Sequence, residues 1–157
     1  MAGGVPRSDV AAGANQPKTK SGRSNEQQMN KTTRVDAAVL PVERWDDPSR
    51  GAITWQTLIS AGTTATQGLI CGIASLKPGD DLALHQHTEP EIYIGVAGEC
   101  DVVVDGVSHQ LGPEIVLFIA GNALHGIKAV DQPVRFFYCF ARDGFDQIAY
   151  RFPKDFE

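Results

Sequence analysis

The chain holds four histidines, and three of them are placed where they can act together. His85 and His87 lie two residues apart in an apolar stretch, so on a strand both imidazoles leave the same face. Glu91 and Tyr93 keep the same parity, and an unbroken strand aims all four side chains to one side. His125 follows much later, in a run that a barrel brings alongside. Imidazole nitrogens joined by one carboxylate suit Fe, Mn, Ni, Cu or Zn, whereas Ca and Mg take sites built of oxygen. Three histidines and one glutamate on a six-coordinate ion leave positions for water or substrate, as a catalytic metal requires. The fourth histidine, His109, follows a turn among polar neighbours and reads as a surface residue.

Short strands must carry these groups. From Ala52 onward, runs rich in Val, Ile, Phe and Tyr alternate with turn residues. The pattern predicts strands over 53–60, 68–76, 82–87, 91–97, 100–104, 108–111, 115–119, 125–130, 134–140 and 147–152. Lys77-Pro78-Gly79-Asp80 reads as a turn between two of them. Asp105-Gly106, flanked by valines, is the two-residue signature of a type I′ hairpin. About ten short strands without a helical period predict an all-β jelly roll or small barrel.

The rest of the chain sets the context. Residues 1–35 carry six Lys/Arg against Asp9 and Glu26, lack hydrophobic periodicity, and are expected to be a disordered basic tail. Residues 36–51, with Pro41, Trp45 and Pro48, read as an arm on the edge of a domain that spans 52–157. The part after residue 35 carries eight Lys/Arg against seventeen Asp/Glu, an acidic balance that argues against nucleic-acid binding. No apolar run approaches the roughly 20 residues of a membrane span, and the start lacks a signal-peptide core. Cys71, Cys100 and Cys139 form no CxxC pair and read as buried free thiols in a reducing compartment, so a cytoplasmic location is expected.

The spacing is longer than a bare HxH. Gly79, His85, His87, Glu91 and Gly98 stand at the intervals of the first cupin motif, and Gly112 through Gly121 to His125 resembles the second. The second motif departs from the common form: Ile119-Ala120 replaces the usual proline, and one extra residue separates Gly121 from His125. Over 51–152 the chain resembles the short cupin lyases that cleave dimethylsulfoniopropionate to dimethyl sulfide and acrylate. The resemblance rests on Trp55-x-x-Leu58-Ile59, Pro78-Gly79-Asp80-Asp81-Leu82-x-Leu84-His85-x-His87 and Glu91-Ile92-Tyr93. It also rests on Ile119-Ala120-Gly121-Asn122-Ala123-x-His125 and Phe145-x-x-x-x-Tyr150.

The resemblance implies a cupin double-stranded β-helix that holds one divalent metal on His85, His87, Glu91 and His125. Fe(II) is the expected ion, with Mn(II), Ni(II) and Zn(II) open. The implied substrate is a small carboxylate. Its cleavage needs one general base, for which Tyr93 is chosen, since a nearby cation favours the phenolate. Tyr150 is implied as a second pocket tyrosine, and aromatic rings are a possible seat for the sulfonium. Trp55, Phe136, Tyr138 and Phe140 are candidates for the pocket lining, with a purely core role favoured. An Fe(II) dioxygenase, a cupin isomerase and a small-ligand binding module are the rival readings. Ile92 and Ile94, opposite in parity to the ligands, allow a homodimer contact.

Overall fold

The computed structural model describes residues 32–153, so the tail expected over 1–35 falls, but for its last four residues, outside the described residues. Among the described residues there are ten strands and three short 3-10 turns. The strands are β1 (Glu43–Arg44), β2 (Thr54–Ile59), β3 (Ile70–Leu76), β4 (Leu82–His85), β5 (Glu91–Ala97), β6 (Cys100–Val104), β7 (Val107–Leu111), β8 (Val116–Ile119), β9 (His125–Ile127) and β10 (Val134–Phe140). They form a six-stranded sheet, β1-β2-β3-β10-β5-β8, and a four-stranded sheet, β4-β9-β6-β7. Every named pairing is antiparallel. The expected all-β jelly roll is the fold found.

Side-chain alternation decides which face of each strand is buried. On β3, Ile70, Gly72, Ala74 and Leu76 are buried while the residues between them are half-exposed. On β10, Val134, Phe136, Tyr138 and Phe140 point inward. These inner faces join Leu82, Val102, Leu111 and Ile127 of the smaller sheet in one apolar cluster. Burying each large side chain of this kind contributes about 1.5–3 kcal/mol, so the cluster holds the sheets face to face.

Both turns expected from the sequence are present. Asp105 and Gly106 have φ of 48° and 82°, as a type I′ turn requires, and they join β6 to β7 with Val104 opposite Val107. Gly79 has φ 91°, and Asp80 N donates to Lys77 O at 2.9 Å, the closure of a turn with Pro78 and Gly79 at its centre.

The strand expected over 147–152 is not formed. A 3-10 turn spans Phe145–Gln147, and only Arg151 pairs, in a single antiparallel bridge with Gln86. The alternation of Ile148, Tyr150 and Phe152 is genuine, but it reflects burial of one face. The partner strand β4 ends at His85, so no ladder extends beyond one pair. The strand expected over 125–130 likewise stops at Ile127. The cysteines also differ from expectation: all three are free, but half-buried. Cys71 and Cys139 face each other across β3 and β10 on the outer side of the larger sheet, which the core does not cover.

Candidate metal centre

Two strands of the smaller sheet bring the first pair of imidazoles together. β4 and β9 place His85 directly opposite His125. His87 follows two residues later on the same side. β5, in the larger sheet, opens with Glu91 and Tyr93, which face inward between Ile92 and Ile94. The candidate ligands therefore come from facing sheets and meet between them. His85, His87, Glu91 and His125 are all buried, none more than 4% exposed.

The hydrogen bonds of the imidazoles point to their role. Nδ1 of His85 lies 2.9 Å from Ala83 O, Nδ1 of His87 lies 2.8 Å from Glu89 O, and Nδ1 of His125 lies 2.8 Å from Ala123 O. Only an N–H can donate to a carbonyl, so each ring carries its proton on Nδ1 and offers a lone pair at Nε2. The three histidines offer ligand atoms within 4.8 Å of one another. Glu91 Oε2 lies 3.4 Å from His87 Nε2 and 3.3 Å from His125 Nε2. These three atoms are buried and have no hydrogen-bond partner. Lone pairs and a carboxylate oxygen held this close in apolar surroundings need positive charge among them. A divalent transition metal fits that requirement and this donor set.

The electrostatics agree. Burial, and then the neighbouring His125, push the His85 pKa from 6.5 to about 3, so the ring stays neutral and ready to ligate. Burial raises the Glu91 carboxyl, and contact with His125 and His87 holds it below the ordinary carboxylate range, which takes positive character at their Nε2 atoms, where a bound cation would supply it. Burial pushes the Tyr93 phenol well above its usual value, and the Glu91 carboxylate adds to the rise. The Tyr150 phenol is raised by the same two causes in the same order.

A cavity of about 300 Å³ opens beside the candidate ligands. His85, Glu91, Tyr93 and Tyr150 share its wall. Tyr150 packs its ring 5.6 Å from His85 and 5.4 Å from His87, and the Tyr93 ring lies 6.3 Å from His125. The structure thus brings every sequence-predicted site residue to one place. Trp55, Phe136, Tyr138 and Phe140, for which core was favoured over pocket lining, line the same cavity. Phe136, Tyr138 and Phe140 are deeply buried, so there core and pocket wall are the same residues.

Sequence reasoning missed three contributors. Glu43 and Trp45, read as part of an edge arm, reach the cavity because β1 pairs with β2 and sets Glu43 opposite Trp55. The lone tryptophan of the arm was the available signal. Glu89 was also overlooked. It is 3% exposed, and its Oε1 accepts from Arg142 Nε at 3.1 Å, Arg142 Nη2 at 2.9 Å and Thr88 Oγ1 at 2.8 Å. Arg142 is 53 residues away in sequence, and no local pattern announces such a pair.

The second motif is explained by close backbone approach. A Cβ on Gly121 would stand 2.2 Å from Thr88 O, so only glycine lets this loop lie against the ligand-bearing segment. Asn122, at φ 65°, then donates its backbone N–H to His87 O at 2.7 Å.

Residues 72–140 match the cupin domain family. The chain is also 40% identical over 118 residues to dimethylsulfoniopropionate lyase DddW of Ruegeria pomeroyi, covering 75% of this chain and 78% of that one. This chain belongs to the cupin family. The cupin's fold is shared with distant solved structures. One comes from the crystal structures of the DMSP lyases RdDddP and RnDddQII, with TM-score 0.62, 20% identity, and coverage of 72% of this cupin and 62% of that chain. Another is the polyketide cyclase RemF of Streptomyces resistomycificus, with TM-score 0.63, 19% identity, and coverage of 70% and 79%. Among relatives this distant, one fold serves different named activities, so the cupin's function has to be argued from its site.

Proposed function

We propose that this cupin is a metal-dependent lyase that cleaves dimethylsulfoniopropionate to dimethyl sulfide and acrylate. The observation that carries the reading is the buried cluster of partnerless Nε2 and carboxylate atoms beside two cavity tyrosines, in a chain 40% identical to a lyase of that name. His85, His87, Glu91 and His125 would hold the ion, with Fe(II) the first choice. A bound divalent ion supplies positive charge next to the substrate carboxylate, which makes the proton on the adjacent carbon easier to remove.

The chain's residues do the rest. Tyr93, two residues from Glu91, takes that proton on its phenolate oxygen. The electrons of the broken C–H bond form the new double bond, and the carbon–sulfur bond breaks with its pair going to sulfur. Acrylate and neutral dimethyl sulfide result, so no acid is needed for the leaving group. Burial and then Glu91 oppose the phenolate, so Tyr93 serves as a base only while positive charge is held at Glu91. Tyr150, whose ring packs against His85 and His87, orients the substrate. The apolar walls limit water in the cavity.

Among the described residues, the cavity wall contains no lysine or arginine. A substrate carboxylate therefore finds its positive counterpart at the ligand cluster alone, which orients the sulfonium toward the aromatic wall. Product analysis under strict anaerobiosis separates elimination from oxygenation. Acrylate and dimethyl sulfide in equal amounts without oxygen uptake support the lyase; product formation only when oxygen is admitted supports a dioxygenase.

The same reading includes a homodimer and a cytoplasmic location. Ile92 lies opposite Phe118, and Ile94 opposite Val116, on the outer face of β5 and β8. Phe118 is 69% exposed and Val116 56%, so this edge strand carries an apolar face suited to a second copy. Three free thiols fit a reducing compartment, and no helix among the described residues is long and apolar enough to cross a membrane.

A further inference from the structure

The elimination uses no thiol, yet the fold brings two of the three cysteines together. Cys71 on β3 and Cys139 on β10 are register partners in an antiparallel ladder. Each stands between two buried residues, Ile70 and Gly72 on one strand, Tyr138 and Phe140 on the other. Strand alternation therefore sends both thiols out of the same outer face. Directly opposed residues of such a ladder have Cα atoms about 4.5–5.5 Å apart. A disulfide spans about 4.4–6.8 Å between Cα atoms, so this placement suits one. Both thiols are free and half-buried, and Cys100 lies on β6 in the other sheet. The two sulfurs differ in surroundings. Burial raises the Cys71 thiol, Cys139 adds to the rise, and the Ile59 backbone N–H offsets part of it by favouring the thiolate. The Cys139 thiol donates weakly to Phe140 O at 3.9 Å. Cys71 is therefore the sulfur better prepared to attack, and Cys139 the one to follow.

We propose that Cys71 and Cys139 are a redox modification site, closing into a reversible disulfide when low-molecular-weight disulfides accumulate. The Cys71 thiolate attacks one sulfur of such a disulfide, whose S–S bond breaks and releases a first small thiolate. The Cys139 thiolate then attacks the Cys71 sulfur of the mixed disulfide and releases the second. The two protons lost by the cysteines end on the two small thiols. The protein gives up two electrons and the small disulfide takes them. Burial slows the first step, whereas the second runs within the molecule between groups already opposed, so the mixed disulfide does not accumulate. The bond staples β3 to β10, the two central strands of the larger sheet. It closes a loop that takes in β4 to β9, which constrains the unfolded chain and stabilises the folded one. The staple involves neither metal nor substrate, so it stands apart from the lyase reading.

Incubation of the reduced, metal-loaded protein with oxidised glutathione tests it. Free thiols are counted after quenching and denaturation, and peptide masses locate the bond. The wild type is expected to go from three free thiols to one, on Cys100, with no glutathione retained, and to regain all three with dithiothreitol. Cys100→Ser keeps the pair and is expected to lose both of its thiols. Cys139→Ser is expected to form no internal bond. Oxidised wild type is expected to melt about 5 °C or more above the reduced protein, a difference absent from Cys139→Ser. Three thiols persisting in the wild type, a bond through Cys100, or a covalent dimer overturns the site. An oxidised wild type that melts no higher than the reduced one overturns the staple.

Discussion

Tyr93 and Tyr150 face the same cavity, and single substitutions separate their roles. Tyr93→Phe removes the proposed proton acceptor and keeps the ring that packs 4.5 Å from Phe136. Turnover is expected to fall by about 100- to 10,000-fold with metal content unchanged, as measured by steady-state kinetics and elemental analysis. Tyr150→Phe is expected chiefly to raise KM. The opposite pattern, with turnover lost in Tyr150→Phe alone, exchanges the two assignments. His85 carries a second prediction at this scale. In metal-stripped protein its pKa is about 3, against 6.5 for an ordinary histidine. The unfolded chain therefore binds more protons than the folded one between those values, and stability falls as pH drops through the window. The melting temperature of stripped protein is expected to decrease steadily from about pH 7 to about pH 4, and His85→Asn to flatten that slope. A flat wild-type profile would show that the folded protein does not hold this ring neutral.

The segment between His87 and Glu91 shows how an element's setting reaches the site. Its Glu89 backbone carbonyl fixes His87 Nδ1, and its Glu89 carboxylate is anchored by Arg142 beyond the end of β10. Arg142→Ala leaves a buried carboxylate without its cation and frees the loop that orients His87. Metal affinity is expected to fall by about 10- to 100-fold, read by competition with a chromophoric chelator, and Arg142→Lys to recover part of it. Unchanged affinity in Arg142→Ala would make the ion pair irrelevant to the ligand. The contrast with the candidate ligands themselves explains what was legible in the sequence. His85, His87, Glu91 and Tyr93 announce themselves because strand parity is local, and β5, β6 and β10 run over the residues that alternation predicts. Glu89–Arg142 and Glu43–Trp55 are long-range pairings set by sheet order, which alternation does not encode. The 147–152 segment failed for a related reason, since alternation reports burial and a strand also needs a partner.

At the scale of the molecule, two sheets of unequal size share one interior, and its larger sheet has an uncovered apolar outer side. Phe118, Val116 and Val96 are each more than 40% exposed there. Sedimentation is expected to give a dimer for the wild type and a monomer for Phe118→Glu, with the fold retained because that side chain contributes nothing to the interior. A wild-type monomer would remove the dimer from the account. The barrel class was readable because turn residues punctuate the strands, and the Asp105-Gly106 hairpin closes as its composition requires. Which aromatic residues wall the cavity was not, because Phe136, Tyr138 and Phe140 are as apolar and as buried as any core residue. Only the three-dimensional arrangement shows that they leave a space between them.

The central claim is that positive charge held by His85, His87, Glu91 and His125 drives an elimination. Headspace detection of dimethyl sulfide tests it most directly, with purified protein, Fe(II) and dimethylsulfoniopropionate under nitrogen, set beside a chelator-treated sample and His125→Ala. Release by the loaded wild type, with loss in both controls, is the predicted result. Undiminished release after chelation or in His125→Ala, or none from the wild type with Fe(II), Mn(II), Ni(II) or Zn(II), would contradict it.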